Sequence, residues 1–214
     1  MDKFIYKIEK KKYDSSYIEK NKLFNVFVFG LPRSGTSMMT HICELLGVKM
    51  IHTTEDKKSD HDKRYKEKFG EYHPNPNGFF EIADNPLEHF FEIASTPYSG
   101  CKMIIPVMGT RWELIKMLPS RVIMMVRNPD EIKESQEAFY SNESDVAYLR
   151  TALVTQAVNL RDGGIDHIQV NYSDVVKDPI TQITRVRDFI KSDRLIEPCV
   201  EFVQPDLYRH KVTA

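Results

Sequence analysis

The chain has 214 residues, of which 41% are hydrophobic and 29% are charged, and its formal net charge is −1. This length allows one sizeable core rather than two full domains, and the composition is ordinary for a globular protein. The nearly neutral charge excludes a strong overall field toward nucleic acid or a membrane surface, so we expect neither as a partner.

Cysteine usage and the N-terminal sequence indicate the compartment. The three cysteines, Cys43, Cys101 and Cys199, are widely spaced and form neither a disulfide framework nor a metal-binding pattern, which favours a reducing environment. Residues 1–14 are charged throughout and lack the apolar core of a signal peptide. No apolar run approaches the roughly 18 residues that a membrane helix needs. We therefore expect a cytoplasmic protein.

Apolar runs alternate with stretches of helical periodicity along most of the chain. A buried strand is predicted at 23–30, where β-branched and aromatic residues lead to Gly30. The alternation is typical of an α/β fold in which helices flank both faces of a parallel β-sheet, as in a three-layer sandwich. We divide the chain into a polar, loosely attached lead-in at 1–22 and a single α/β domain at 23–214. Further strands are predicted at 100–107, 121–127 and 165–172, helices at 34–47, 84–95, 111–118, 130–140, 144–161 and 180–190, and a charged surface segment, partly helical at 60–69, at 52–78.

The loop between the first strand and its helix, residues 30–37 (GLPRSGTS), has the glycine spacing of a phosphate-binding loop. Glycines let backbone N–H groups approach an anion, and the helix N-terminus adds unpaired donors and a positive dipole end. Ser34, Thr36 and Ser37 add hydroxyl groups. Thr36 stands where a nucleotide triphosphatase carries the lysine that contacts the β- and γ-phosphates, and the cation is instead Arg33. The loop therefore predicts an anion site in a P-loop nucleotide-binding-like three-layer sandwich and disfavours an ATPase.

This segment, Pro32–Ser37, resembles the 5′-phosphosulfate loop of sulfotransferases that use 3′-phosphoadenosine 5′-phosphosulfate (PAPS), which reads Pro-(Lys/Arg)-Ser-Gly-Thr-(Thr/Ser). The resemblance implies that 23–214 is a sulfotransferase-like domain and that Arg33 neutralises charge on the transferring sulfuryl group and the bridging oxygen. It further implies that Ser34, Gly35, Thr36 and Ser37 hold the 5′-phosphate of the donor.

A second motif lies at the end of the third predicted strand. Arg127, Asn128 and Pro129 are followed by Ser135, eight positions after the arginine. This arrangement resembles the 3′-phosphate motif of the same family, Arg-(Asp/Asn)-Pro followed by a serine at that spacing. The resemblance implies that Arg127 and Ser135 bind the 3′-phosphate of PAPS, a group that ATP lacks. Arginine suits this role because its bonds to phosphate are charge-assisted and often bidentate.

The residues that would act on the acceptor match the family less closely. Lys102 and Pro106 match a Lys-Thr-His-Leu-Pro strand of the cytosolic enzymes, but Ile104 occupies the position of the catalytic histidine. The resemblance implies that Lys102 contacts the sulfuryl oxygens and that the general base comes from elsewhere. The segment 75–81 (NPNGFFE) resembles Asn-Pro-x-Gly-(Phe/Tyr)-(Phe/Trp)-Glu of bacterial-type sulfotransferases, and Glu81 is the first candidate for the base. His52 and His73 are the alternatives.

Two further segments resemble nucleotide contacts of the family. Tyr172, in a Tyr-Ser-Asp sequence after the fourth predicted strand, matches a residue placed near the adenine. Arg209 and Lys211, in a C-terminal Pro-x-Leu-x-Arg-like segment, match residues that close over the nucleotide.

Together these motifs predict a metal-independent sulfotransferase that uses PAPS as donor, releases adenosine 3′,5′-bisphosphate, and acts on a hydroxyl or amine of a small-molecule or glycan acceptor. A modified P-loop nucleotide kinase or NTPase is an alternative, which Thr36 disfavours. A non-catalytic nucleotide-binding relic of the same fold is another alternative, because Ile104 replaces the expected histidine.

Overall fold

The computed structural model describes residues 15–52, 86–104, 111–140 and 145–207. Numbered in chain order, the elements are α1 (Ser15–Lys20), β1 (Asn25–Gly30), α2 (Thr36–Leu45), β2 (Lys49–Met50), α3 (Pro86–Ser95), β3 (Ser99–Ile104), α4 (Arg111–Met117), β4 (Ser120–Val126), α5 (Pro129–Tyr140), α6 (Val146–Asp162), β5 (Asp166–Asn171), α7 (Tyr172–Lys177), α8 (Pro179–Phe189) and α9 (Glu197–Phe202), with a final 3₁₀ turn at Pro205–Leu207.

The five strands form one sheet in the order β2-β3-β1-β4-β5, and every pair of neighbours is parallel. Parallel neighbours cannot be joined by a tight hairpin, so helices supply the crossovers between them. The α/β class and the parallel sheet predicted from the alternating pattern are confirmed.

Successive side chains of each strand point to opposite faces of the sheet, and helices cover both faces. Val26 and Val28 of β1 join a core with residues of α2 and α8, while Phe27 and Phe29 join a second core with residues of α3 and α5. The result is a layer of strands between two layers of helices. All six residues of β1 are buried, which explains why residues 26–29 form an unbroken apolar run, while the buried Asn25 amide donates hydrogen bonds.

The strand order places a crevice between the carboxyl ends of β1 and β4. These strands are neighbours in the sheet, and the helices that follow them pack in different cores, since Met39 of α2 lies in the first and Ile132 of α5 in the second. The two loops therefore diverge to opposite faces. Ligands of open α/β sheets bind at such switch points.

Several short elements differ from the sequence-based expectations. The strand expected to reach residue 172 ends at Asn171, because that side chain accepts a hydrogen bond from the Ser173 backbone N–H at 3.1 Å and caps α7. Strand β2 has two residues and α9 has six, so neither is long enough to show a strand or helix periodicity in the sequence. The lead-in contains α1, whose Glu19 pairs with Arg121 of β4 at 2.6 Å and so attaches this helix to the sheet.

The predicted surface segment lies outside the described residues beyond His52, as do the last residues of the strand expected at 100–107. Within the described part of the chain, no helix is long and apolar enough to cross a membrane.

Candidate active site

The loop between β1 and α2 is tightly wound. Arg33 and Gly35 have φ values of +70° and +93°, in the left-handed region. A Cβ at Gly30 would lie 2.7 Å from Cγ2 of Thr36 and closer still to the Ser34 hydroxyl, so the first glycine lets the loop fold back on its own strand. The Ser34 backbone N–H and hydroxyl both donate to the Leu31 carbonyl, at 3.1 and 2.7 Å. In this structure the Ser34 hydroxyl thus stabilises the turn.

The loop leads directly into the N-terminus of α2. Gly35 occupies the N-cap position and supplies no side-chain acceptor for the first-turn N–H groups. Such a helix end carries unsatisfied backbone donors and a positive partial charge. Thr36 and Ser37 begin the helix beside these donors. The arrangement is therefore suited to an anion.

Arg127 follows β4 on the other side of the crevice and reaches back to the loop. Its Nη1 donates to the Arg33 carbonyl at 3.0 Å, and its Nε donates to Glu131 at 2.9 Å. The guanidinium also lies over the ring of Tyr172, 4.8 Å from the centroid. Arg127 is only 6% exposed, so the carboxyl end of β4 holds a buried, well-defined cation.

Ser135 connects the two predicted motifs through its side chain. It lies on α5, is buried, and accepts a hydrogen bond from the Arg33 Nε at 3.1 Å. Arg33 and Ser135 are 102 positions apart in the chain. The two predicted motifs therefore meet at one edge of the sheet.

Lys102 approaches the loop from the other neighbour of β1. It lies opposite Val28 in the sheet, is buried, and donates from Nζ to the Ser37 hydroxyl at 3.2 Å. Ile104 ends the same strand beside Gly30. An aliphatic side chain there cannot accept a proton, so Ile104 does not supply a general base.

Tyr172 forms a wall of the loop at the start of α7. A Cβ on Gly35 would lie 3.0 Å from Cε2 of this ring and closer still to Cδ2. The Arg127 guanidinium carbon lies over the same ring. Tyr172 thus contacts both motifs, which its sequence match alone did not predict.

Two buried residues of α5 were missed by the sequence analysis. Glu131 accepts from Arg127, and Gln136 donates from Nε2 to the Pro32 carbonyl at 3.2 Å. Glu131 lies four positions after Arg127, a spacing that could have suggested a pair. An acidic residue in the first turn of a helix is common on any surface, however, so this spacing is ambiguous without the fold.

The candidate base residues are only partly placed. His52 follows β2, and its Nε2 lies 2.7 Å from a carboxylate oxygen of Glu44 on α2. The other oxygen of that carboxylate lies 3.0 Å from His41. His52 is therefore held against α2. Glu81, His73, Arg209 and Lys211 lie outside the described residues.

The assembled site has the chemistry of an anion receptor. Arg33, Lys102 and Arg127 bring three cationic side chains to one edge of the sheet, and among the described residues Glu131 pairs with Arg127. Backbone donors of the loop and of α2 add to this positive field. Among the residues that the structure describes, no cluster of three or more His, Cys, Asp or Glu side chains is arranged to hold a metal ion.

A known family model matches most of the chain and not only the candidate site. The family model of the sulfotransferase domain matches residues 25–200. Among solved structures, the sulfotransferase domain of the olefin synthase from Synechococcus PCC 7002 is 17% identical, with 87% of this chain and 82% of that chain covered and a TM-score of 0.46. Retinol dehydratase, solved with androsterone and the inactive cofactor PAP, is 16% identical, with 84% and 64% covered and a TM-score of 0.44. The search of curated proteins found no match. The family match contains the loop of Arg33, the strand of Lys102 and the Arg127–Ser135 motif, and the chain belongs to the sulfotransferase domain family.

Proposed function

We propose that the protein transfers a sulfuryl group from PAPS to a hydroxyl or amine of a small-molecule or glycan acceptor. The observation that carries the proposal is the junction of the two motifs, in which Arg33 contacts Ser135 and Arg127 contacts the Arg33 carbonyl. PAPS carries anionic groups at both its 5′ and 3′ positions. A receptor with two adjoining anion sites suits such a donor better than it suits ATP.

In the proposed reaction the acceptor heteroatom attacks sulfur, and the bond between sulfur and the bridging oxygen breaks. The electron pair of that bond moves to the 5′-phosphate, so negative charge grows on the bridging oxygen. Arg33 and Lys102 stabilise this charge, together with N–H groups of the loop. Removing one such preorganised donor commonly costs about 10²–10³ in turnover. The acceptor proton passes to a base, for which Glu81 remains the proposal, with an expected contribution of about 10²–10⁴-fold.

The remaining residues hold the donor. We assign Thr36, Ser37 and the backbone at Gly35 to the 5′-phosphate, and Arg127 and Ser135 to the 3′-phosphate. Ser34 supports the same loop through the Leu31 carbonyl.

Tyr172 and Arg209 are proposed as further nucleotide contacts. For Tyr172 the support is its position against Gly35 and Arg127.

The three cysteines are free thiols buried in the domain, which supports a reducing compartment such as the cytoplasm for this activity. Burial raises the pKa of the Cys199 thiol to about 11, so this group is a weak nucleophile at neutral pH.

Two alanine variants test the assignment. Arg127→Ala removes a charged donor and is expected to weaken binding of adenosine 3′,5′-bisphosphate by about 10–100-fold, since hydrogen bonds to charged groups contribute about 1.5–3 kcal/mol. Arg33→Ala is expected to lower transfer from PAPS by about 10²–10³-fold, with a smaller effect on bisphosphate affinity.

Calorimetry measures the binding, and release of the bisphosphate from PAPS in the presence of a panel of alcohols, amines and sugars measures the transfer. Wild-type behaviour of both variants would remove the site assignment. Bisphosphate binding by the wild type without transfer to any acceptor would favour the non-catalytic alternative.

A further inference from the structure

The ion pair between Arg127 and Glu131 differs from the others in the described part of the chain by its burial. Its side chains are 7% and 8% exposed, whereas every other pair there has at least one side chain that is 25% exposed or more. Burying two charges costs desolvation energy that their attraction often does not recover, so stability alone is a weak reason for such a pair. The pair lies at the end of β4, at the candidate anion site.

Contacts from three directions fix the orientation of Arg127. Glu131 accepts from Nε at 2.9 Å, the Arg33 carbonyl accepts from Nη1 at 3.0 Å, and the guanidinium carbon lies over the Tyr172 ring, 4.8 Å from its centroid. The two hydrogen bonds hold the guanidinium at two of its nitrogen atoms, and the Tyr172 ring limits the space beside it. Glu131 is itself anchored in the first turn of α5.

Charge alone does not explain a carboxylate at this place. A negative group beside Arg127 lowers the positive potential at the site and so opposes a phosphate that binds there. A fixed guanidinium, by contrast, loses less conformational entropy when it binds an anion. We therefore expect Glu131 to favour phosphate binding through the place where it holds Arg127 and not through its charge.

We propose that Glu131 is a positioning residue, which sets the orientation of Arg127 for the 3′-phosphate and so determines the preference for 3′-phosphorylated nucleotides. This inference rests on the proposed function, in which Arg127 receives that phosphate.

Two conservative variants distinguish the effect of the position of the Glu131 carboxylate from the effect of its charge. Glu131→Gln keeps the length of the side chain and an acceptor oxygen but removes the charge. Glu131→Asp keeps the charge but withdraws the carboxylate by one carbon–carbon bond, about 1.5 Å. For each protein, calorimetry measures the Kd of adenosine 3′,5′-bisphosphate and of AMP, and the ratio of the two reports the contribution of the 3′-phosphate.

We expect Glu131→Asp to lower the preference for the bisphosphate at least tenfold, while its affinity for AMP stays within about threefold of the wild type, which also shows that the variant is folded. Glu131→Gln is expected to keep the wild-type preference or exceed it. A wild-type preference in Glu131→Asp, or a loss confined to Glu131→Gln, would overturn the positioning role. A wild-type protein that does not prefer the bisphosphate over AMP would instead refute the donor assignment, and with it this inference.

Discussion

Replacing Gly35 with alanine is expected to destabilise the fold, because the position is both left-handed and crowded. Its φ is +93°, and an added Cβ would lie 3.0 Å from Cε2 of Tyr172, with Cδ2 nearer still. A left-handed conformation costs a residue with a Cβ about 1–2 kcal/mol. Displacing the buried ring adds about 1–3 kcal/mol of overpacking. The sum is about 2–5 kcal/mol, or about 4–20 °C in Tm for a chain of this size.

The chain offers a matched control at Gly164. Its φ is +61°, and nothing lies within 4 Å of an added Cβ, so alanine there meets only the conformational cost. Part of that cost is offset by about 0.4–1 kcal/mol of reduced entropy in the unfolded chain. Urea denaturation of both variants is expected to show Gly35→Ala less stable by at least about 1 kcal/mol, with weaker bisphosphate binding. Equal losses of stability in the two variants would refute the reasoning that Tyr172 restricts this position.

Two further predictions concern the core. Asn25 is fully buried and donates from Nδ2 to the carbonyls of Ile93 and Ser99 at 2.9 and 3.0 Å. Asn25→Ala should therefore lower the free energy of unfolding by about 2–4 kcal/mol. The control, Asn21→Ala at an exposed position, should change it by less than about 0.5 kcal/mol. Similar losses in a urea titration would contradict the assigned role of the buried amide. Burial raises the pKa of the Cys43 thiol above its ordinary 9.0. Above about pH 9 the thiol loses its proton in the unfolded chain while it stays protonated in the folded protein. The free energy of unfolding is therefore unaffected by this thiol below that pH and decreases above it, by up to about 1.4 kcal/mol per pH unit. Stability measured from about pH 9 to about pH 10.5 should fall less steeply in Cys43→Ala, and equal slopes would refute this linkage.

The elements predicted from the sequence are those with strong local signals. β1 was predictable because a fully buried parallel strand needs a continuous apolar run, and Gly30 marks its end. β2 was not predictable, because a two-residue strand at the edge of the sheet is defined by its partner β3 rather than by its own composition. The start of α7 at Tyr172 depended on the side-chain cap of Asn171, which the pattern of apolar residues does not reveal.

The candidate site was predictable as two motifs and not as one assembly. The family spacing indicated Arg127 and Ser135, but the contact between Ser135 and Arg33 arises from strand order, which places β4 beside β1. Glu131 was overlooked because its spacing from Arg127 also fits an exposed helix end, and only tertiary burial distinguishes the two. The role of Glu81 as base stays a prediction, since that residue lies outside the described part of the chain.

The central claim, that the crevice binds a nucleotide with a 3′-phosphate, is tested most directly by thermal stabilisation. The melting temperature is measured with adenosine 3′,5′-bisphosphate, with AMP, and with ATP and magnesium. At about 100 times its Kd, a ligand adds roughly 2.7 kcal/mol, or about 5–11 °C here. We predict that the bisphosphate at a given concentration stabilises the protein far more than AMP or ATP does. Stabilisation by ATP and magnesium with none by the bisphosphate would contradict the account and favour a modified nucleotide kinase.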